Sequence, residues 1–203
     1  MSPSAKPQAK PTKQQKKYAL LLTPGASANR NQTALVAIDD AASAMGIAVA
    51  RVDFPFTKAG RRGPDKPAVL VRTVVEEATA LAHDAGVPPE RIFLGGRSMG
   101  GRICSMAVAE GLPAAGLVLV SYPLHPPGRP EKMRTEHFGA IGVPCLFLSG
   151  TRDAFGTPAE LEAATAGIHA PVTHSWLEGC DHGLRGQDAT VARFVAGWLA
   201  GVS

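Results

Sequence analysis

The sequence predicts an α/β fold, with a mostly parallel sheet of about six strands and helices on both faces. Three observations predict it. Short apolar runs of strand length recur at residues 18–22, 47–52, 92–94, 117–120, 144–149 and 172–177. Stretches with helical spacing of apolar residues lie between these runs, and the short links between them suit parallel strands joined by crossover helices. Finally, 203 residues with 45% hydrophobic content suit one domain with a three-layer core. No apolar run reaches the ~20 residues of a membrane span.

Each element has a local reason. Residues 1–17 are rich in Lys, Pro, Gln, Ser and Ala with nothing to bury, so a disordered tail is expected there and a folded domain over 18–203. The run 18–22 ends in Thr23-Pro24-Gly25-Ala26-Ser27 and reads as a buried strand entering a loop. A helix over 32–45 stops at Gly46, and a strand at 47–52 closes on Phe54-Pro55-Phe56. Residues 57–67, with Lys58, Arg61, Arg62 and Lys66, read as an exposed loop. A helix over 68–85 carries Val71, Val74, Val75, Ala78 and Leu81 on one face and is broken by Gly86-Val87-Pro88-Pro89. A strand at 92–94, a helix over 99–110 and a strand at 117–120 follow. The longest connection, 122–143, is too short for a lid domain and is expected to hold a short helix at 134–141. Strand 144–149, helix 158–166, strand 172–177 and a last helix over 188–199 complete the pattern.

Composition narrows the function. Lys6, Lys10, Lys13, Lys16 and Lys17 are five of the 21 basic residues, and the remaining 16 stand against 17 acids, so the +4 charge belongs to the tail. No aromatic residue interleaves those lysines, so neither nucleic acid nor a membrane surface is an expected partner. Cys104, Cys145 and Cys180 form no C-x-x-C pair, which speaks against a disulfide framework or a metal site. With no apolar N-terminal h-region, a cytoplasmic location is expected. No cofactor is implied.

The chemistry centres on residues 91–104, R-I-F-L-G-G-R-S-M-G-G-R-I-C. Ser98 sits in G-x-S-x-G between a strand and a helix, the pattern of a nucleophile elbow. The serine there takes a strained backbone, and Gly96 and Gly100 avoid collision around it. The helix points its free N–H groups and positive dipole end at the turn, making the Met99 N–H the expected oxyanion donor. Asp153 follows the fifth strand and His182 the sixth, completing the chain order Ser, Asp, His. A hydroxyl needs an imidazole to take its proton, and a buried carboxylate must orient that imidazole. Asp181 competes with Asp153, but a neighbour in sequence rarely turns its carboxylate to the ring's Nδ1. His83, His169 and His174 read as surface histidines.

The chain from Tyr18 onward resembles α/β-hydrolase-fold proteins, in particular the small cap-less, dienelactone-hydrolase-like branch that includes the hydrolase-like domain of a subunit of the NSL histone acetyltransferase complex. The carrying motifs are G-G-R-S-M-G-G-R at 95–102, S-Y-P-L-H-P-P-G at 121–128, R-T-E-H at 134–137, G-T-R-D-A-F-G at 150–156 and G-C-D-H at 179–182. The resemblance implies a second oxyanion donor at about Ala26, where relatives carry His-Gly in place of Pro24-Gly25. Tyr122, His125 and Phe155 are expected to line a shallow pocket, and Arg97 and Arg152 to favour a negatively charged substrate or to form salt bridges. The expected function is a serine hydrolase acting on a small ester, thioester or related acyl substrate through an acyl-enzyme. The alternative is a non-catalytic or weakly catalytic binding or scaffold module with a protein partner.

Overall fold

The computed structural model describes residues 18–202. The expected tail over 1–17 lies outside the described residues. Strands β1 (Ala19–Thr23), β2 (Ala48–Arg51), β3 (Ile92–Arg97), β4 (Gly116–Val120), β5 (Cys145–Gly150) and β6 (Val172–Leu177) form one sheet of order β2-β1-β3-β4-β5-β6. Every pairing is parallel. Helices α1 (Thr33–Ala44), α2 (Pro55–Lys58), α3 (Pro67–Ala85), α4 (Met99–Ala109), α5 (Pro158–Thr165) and α6 (Asp188–Val202) make the connections.

Both faces of the sheet are covered, and the two-residue strand period shows which residue meets which layer. Leu20 and Leu22 of β1 pack with Leu35 and Ile38 of α1 and Val191 and Leu199 of α6. Ala19 and Leu21 point the other way, into the core with Val74 and Ala78 of α3 and Ile103 and Ala107 of α4. Strands buried on both sides read as unbroken apolar runs, which is why β1, β4 and β5 were legible by composition. Burying one such leucine contributes ~1.5–3 kcal/mol.

Helix ends follow turn chemistry. Gly46 and Gly86 take left-handed φ values of 81° and 65°. The following N–H groups, of Ile47 and Val87, return to the carbonyls of Ala42 and Ala82. This closes α1 and α3 with the C-terminal glycine motif. Thr157 and Glu160 cap α5 reciprocally.

Two expectations need correction. Residues 134–141 do not form the expected helix, and only Phe138–Ala140 make a 3₁₀ turn. The Arg134 N–H donates to the Leu124 carbonyl at 2.8 Å, and the Arg134 carbonyl accepts the Tyr122 hydroxyl at 2.8 Å. The Tyr122 bond takes the first carbonyl such a helix would need, and the Leu124 bond ties the segment to the preceding loop. The segment from 57 is also not all loop, because Pro55–Lys58 form one helical turn with Pro55 at its start. Phe54 at its N-cap and Phe56 within it are buried and stack with centroids 6.2 Å apart.

The strand order reverses between β1 and β3, because the chain leaves β1 toward β2 and returns past it to β3. In such sheets the crevice at the carboxyl ends of those two strands is the natural binding place. The loop after β1 and the turn holding Ser98 both lie there.

Candidate active site

Ser98 takes φ 52° and ψ −119°, a conformation costing a residue with a side chain ~1–3 kcal/mol. Its surroundings hold it there. The Ser98 N–H donates to the Val120 carbonyl at 2.8 Å, and its carbonyl accepts the Arg102 N–H at 3.1 Å, starting α4. A Cβ on Gly100 would lie 2.6 Å from the Pro24 carbonyl oxygen, and one on Gly96 would collide with the Thr23 carbonyl and hydroxyl oxygens at the end of β1. Both glycines are therefore required by the close approach of the turn to the end of β1.

Asp153 is buried in the turn after β5. Its Oδ1 accepts the Phe155 N–H at 2.8 Å, and His182 Nδ1 lies 2.8 Å from Oδ2 and 3.0 Å from Oδ1. With Nδ1–H donating to a carboxylate, Nε2 keeps its lone pair. That atom lies 2.9 Å from Ser98 Oγ. The structure thus brings Ser98, His182 and Asp153 into one hydrogen-bonded chain. Asp181 stays outside it, with its Oδ1 accepting the Gly183 N–H at 2.8 Å in a local turn.

The loop bearing His182 is held from several sides. Arg97 Nη2 donates to the His182 carbonyl at 2.6 Å and to the Gly183 carbonyl at 2.9 Å. Burial lowers the pKa of Arg97, opposed by the nearby carboxylates of Asp153, Asp188 and Asp181. Arg152 donates twice to the Gly179 carbonyl, at 2.9 and 2.6 Å. The Phe155 ring lies against the imidazole with centroids 4.1 Å apart. Arg97 and Arg152 thus hold the loop backbone, and among the described residues neither forms the salt bridge that was the other expectation, while Arg97 also lines the cavity over Ser98.

A cavity of about 420 Å³ opens over Ser98. Ala26, Ser98, Met99, Phe155, Arg97 and His182 contribute to its wall. Among the described residues, the N–H groups of Met99 and Ala26 donate to no acceptor. Met99 is the first residue of α4, where no carbonyl of the helix can reach its N–H. Two expected pocket residues lie elsewhere. Tyr122 is 1% exposed and packs against Phe138 and Phe147, with burial raising its pKa. His125 is also buried, with Nδ1 2.8 Å from the Pro126 carbonyl oxygen. Its N–H donates to the Phe155 carbonyl at 3.1 Å, so it supports the wall from behind. The sequence reading missed Arg102, Arg134, Gln32 and Pro64, which do line the cavity. A signal existed for Arg102, since it lies in the first turn of the helix that begins directly after Ser98.

Ser105 and His137 form a second serine–histidine contact, Oγ to Nε2 at 2.8 Å. Ser105 is fully buried, and its hydroxyl donates to the Arg102 carbonyl at 2.7 Å. His137 Nε2 must then carry the proton and donate, so this pair cannot generate a nucleophile. Burial, and next the Arg102 charge, push the His137 pKa down to about 4, opposed by Glu136. The unfolded chain binds this proton near the ordinary value of about 6.5. The contribution to stability is therefore complete above pH ~6.5 and is lost as pH falls toward 4. Discounted for partial exposure, the loss is about 1 kcal/mol. His137→Gln should show a shallower fall in urea midpoint between pH 7 and pH 4.5 than the parent, and parallel falls would refute the assignment.

A model of the alpha/beta hydrolase domain matches residues 16–193, most of the chain. The chain belongs to the alpha/beta hydrolase domain family. Solved structures agree on the fold of this alpha/beta hydrolase. Est1E from Butyrivibrio proteoclasticus superposes with a TM-score of 0.77 at 14% identity, covering 95% of this chain and 90% of its own. An alpha-beta serine hydrolase homologue from Coxiella burnetii gives 0.75 at 18% identity, covering 91% and 86%. Dienelactone hydrolase from Anabaena variabilis gives 0.74 at 16% identity, covering 93% and 88%. The alpha/beta hydrolase described here carries no inserted lid among its described residues, and none of its described helices is long and apolar enough to cross a membrane.

Proposed function

We propose that this alpha/beta hydrolase is a cytoplasmic serine hydrolase that cleaves a small ester, thioester or related acyl substrate through an acyl-enzyme. The observation that carries the reading is the contact of His182 Nε2 with Ser98 Oγ at 2.9 Å, with Nδ1 of the same ring on buried Asp153 at 2.8 Å. As Ser98 Oγ attacks the acyl carbon, its proton passes to His182 Nε2. The carbonyl oxygen becomes an oxyanion facing the unpaired N–H groups of Met99 and Ala26. Asp153 stabilises the imidazolium. Collapse breaks the bond to the leaving group, which takes the proton from Nε2. Water then attacks the acyl-enzyme with Nε2 as base, and the acid leaves with Ser98 restored. Buried Cys104 and Cys145, whose thiol pKa values burial raises to about 12, are no rival nucleophiles. Three free thiols also suit a reducing compartment.

A fluorophosphonate probe tests this reading, because it needs an activated hydroxyl and an oxyanion hole but little substrate specificity. Ser98 should be labelled within minutes, located by peptide mass, with hydrolysis of activated esters blocked in proportion. A folded protein whose Ser98 resists the probe for hours, and which cleaves no activated ester faster than its Ser98→Ala variant, would favour the scaffold reading.

A further inference from the structure

Among the described residues, a cation in the cavity wall lacks a bonding partner. Arg102 lies in the first turn of α4 and lines the cavity together with Arg134. Its guanidinium has no hydrogen-bond acceptor and no carboxylate within ion-pair distance among the described residues, and its Nε is buried as well as unpaired. The other arginines around the site are occupied. Arg97 holds the His182 and Gly183 carbonyls, and Arg152 holds Gly179. Arg134 reaches only the Pro123 carbonyl, at 3.3 Å, and burial and then the charge of Arg102 lower its pKa. Two guanidinium groups without an intervening acid repel each other, and a fork of free N–H donors matches an oxyanion.

The spacing ties this fork to the reaction. Ser98 caps α4 and Arg102 follows one turn later, with the Arg102 N–H bonded to the Ser98 carbonyl at 3.1 Å. Both side chains open onto the same cavity. We infer that Arg102, assisted by Arg134, binds an oxyanion on the substrate, carboxylate or phosphonate-like, a few bonds from the scissile ester. This deepens, and rests on, the serine hydrolase reading. It places substrate charge recognition on Arg102 rather than on Arg97, whose Nη2 is engaged by the His182 and Gly183 carbonyls.

The test separates binding from turnover. In the Ser98→Ala protein, calorimetry compares monomethyl glutarate, which bears a carboxylate, with neutral dimethyl glutarate, and methyl 3-phosphonopropionate serves as the phosphorus oxyanion. Either anion should bind at least tenfold tighter than the neutral diester, and the tighter of the two identifies the oxyanion. Adding Arg102→Gln should remove most of that preference, and Arg102→Lys should restore part of it. Equal affinity for charged and neutral esters overturns the inference. So does a preference that survives both Arg102→Gln and Arg134→Gln. The charged-against-neutral comparison needs no arginine variant, so it decides even if Arg102→Gln misfolds. If the unmutated chain resists the fluorophosphonate probe and cleaves no activated ester while the Arg102-dependent preference is present, the hydrolase reading fails and the subsite stands. If it cleaves both with equal kcat/KM and no binding preference, the subsite alone fails.

Discussion

Ser98→Ala is expected to lower kcat on an activated ester by a factor on the order of 10⁴–10⁶, and His182→Ala to cost nearly as much. The double variant should be no worse than the poorer single one. The reason is the shared proton: Oγ lies 2.9 Å from Nε2, and neither atom is useful without the other. Alanine fits both sites without new bulk, although at 98 it must still adopt φ 52°. Residual turnover should remain, because the unpaired Met99 and Ala26 N–H groups and the cavity are left in place. Single losses that multiply in the double variant, measured on proteins of matched melting temperature, would show that the two side chains act independently and would sink the proposed mechanism.

The two nearby carboxylates should behave very differently. Asp153→Asn is expected to cut turnover by about 10⁴, since an amide there no longer holds Nδ1 as the donor and the imidazole can present the wrong tautomer to Ser98. Asp181→Asn should change turnover only a few-fold, because the Asp181 carboxylate is bonded to the Gly183 N–H and an amide oxygen can still accept that bond. Both carboxylates lie in the field of Arg97. A loss of charge alone would therefore affect the variants more evenly. Comparable losses in the two variants would remove Asp153 from its assigned role.

The features that the sequence by itself determined are those set by local rules. Apolar runs become doubly buried parallel strands because helices cover both faces, and Gly46 and Gly86 end helices through bonds a few residues long. The glycines around Ser98 and the order Ser98, Asp153, His182 were legible for the same reason, since the ends of parallel strands all reach one edge of the sheet. What only the tertiary structure decided is the direction each loop side chain takes. Tyr122 and His125 point into the wall because their hydrogen bonds go to Arg134 and Pro126, and the Tyr122 ring packs in the core while His125 is buried beside it in the chain. Residues 134–141 avoid a helix because Leu124 and Tyr122 claim the backbone of Arg134. Arg97 reaches carbonyls 85 and 86 positions away, so its use as a loop clamp leaves no trace in local pattern. Arg102 is the converse case. Its spacing from Ser98 was visible in the sequence, but that its guanidinium lacks an acceptor among the described residues is a property of their packing, because an absent partner can be recognised only when the neighbours are in place.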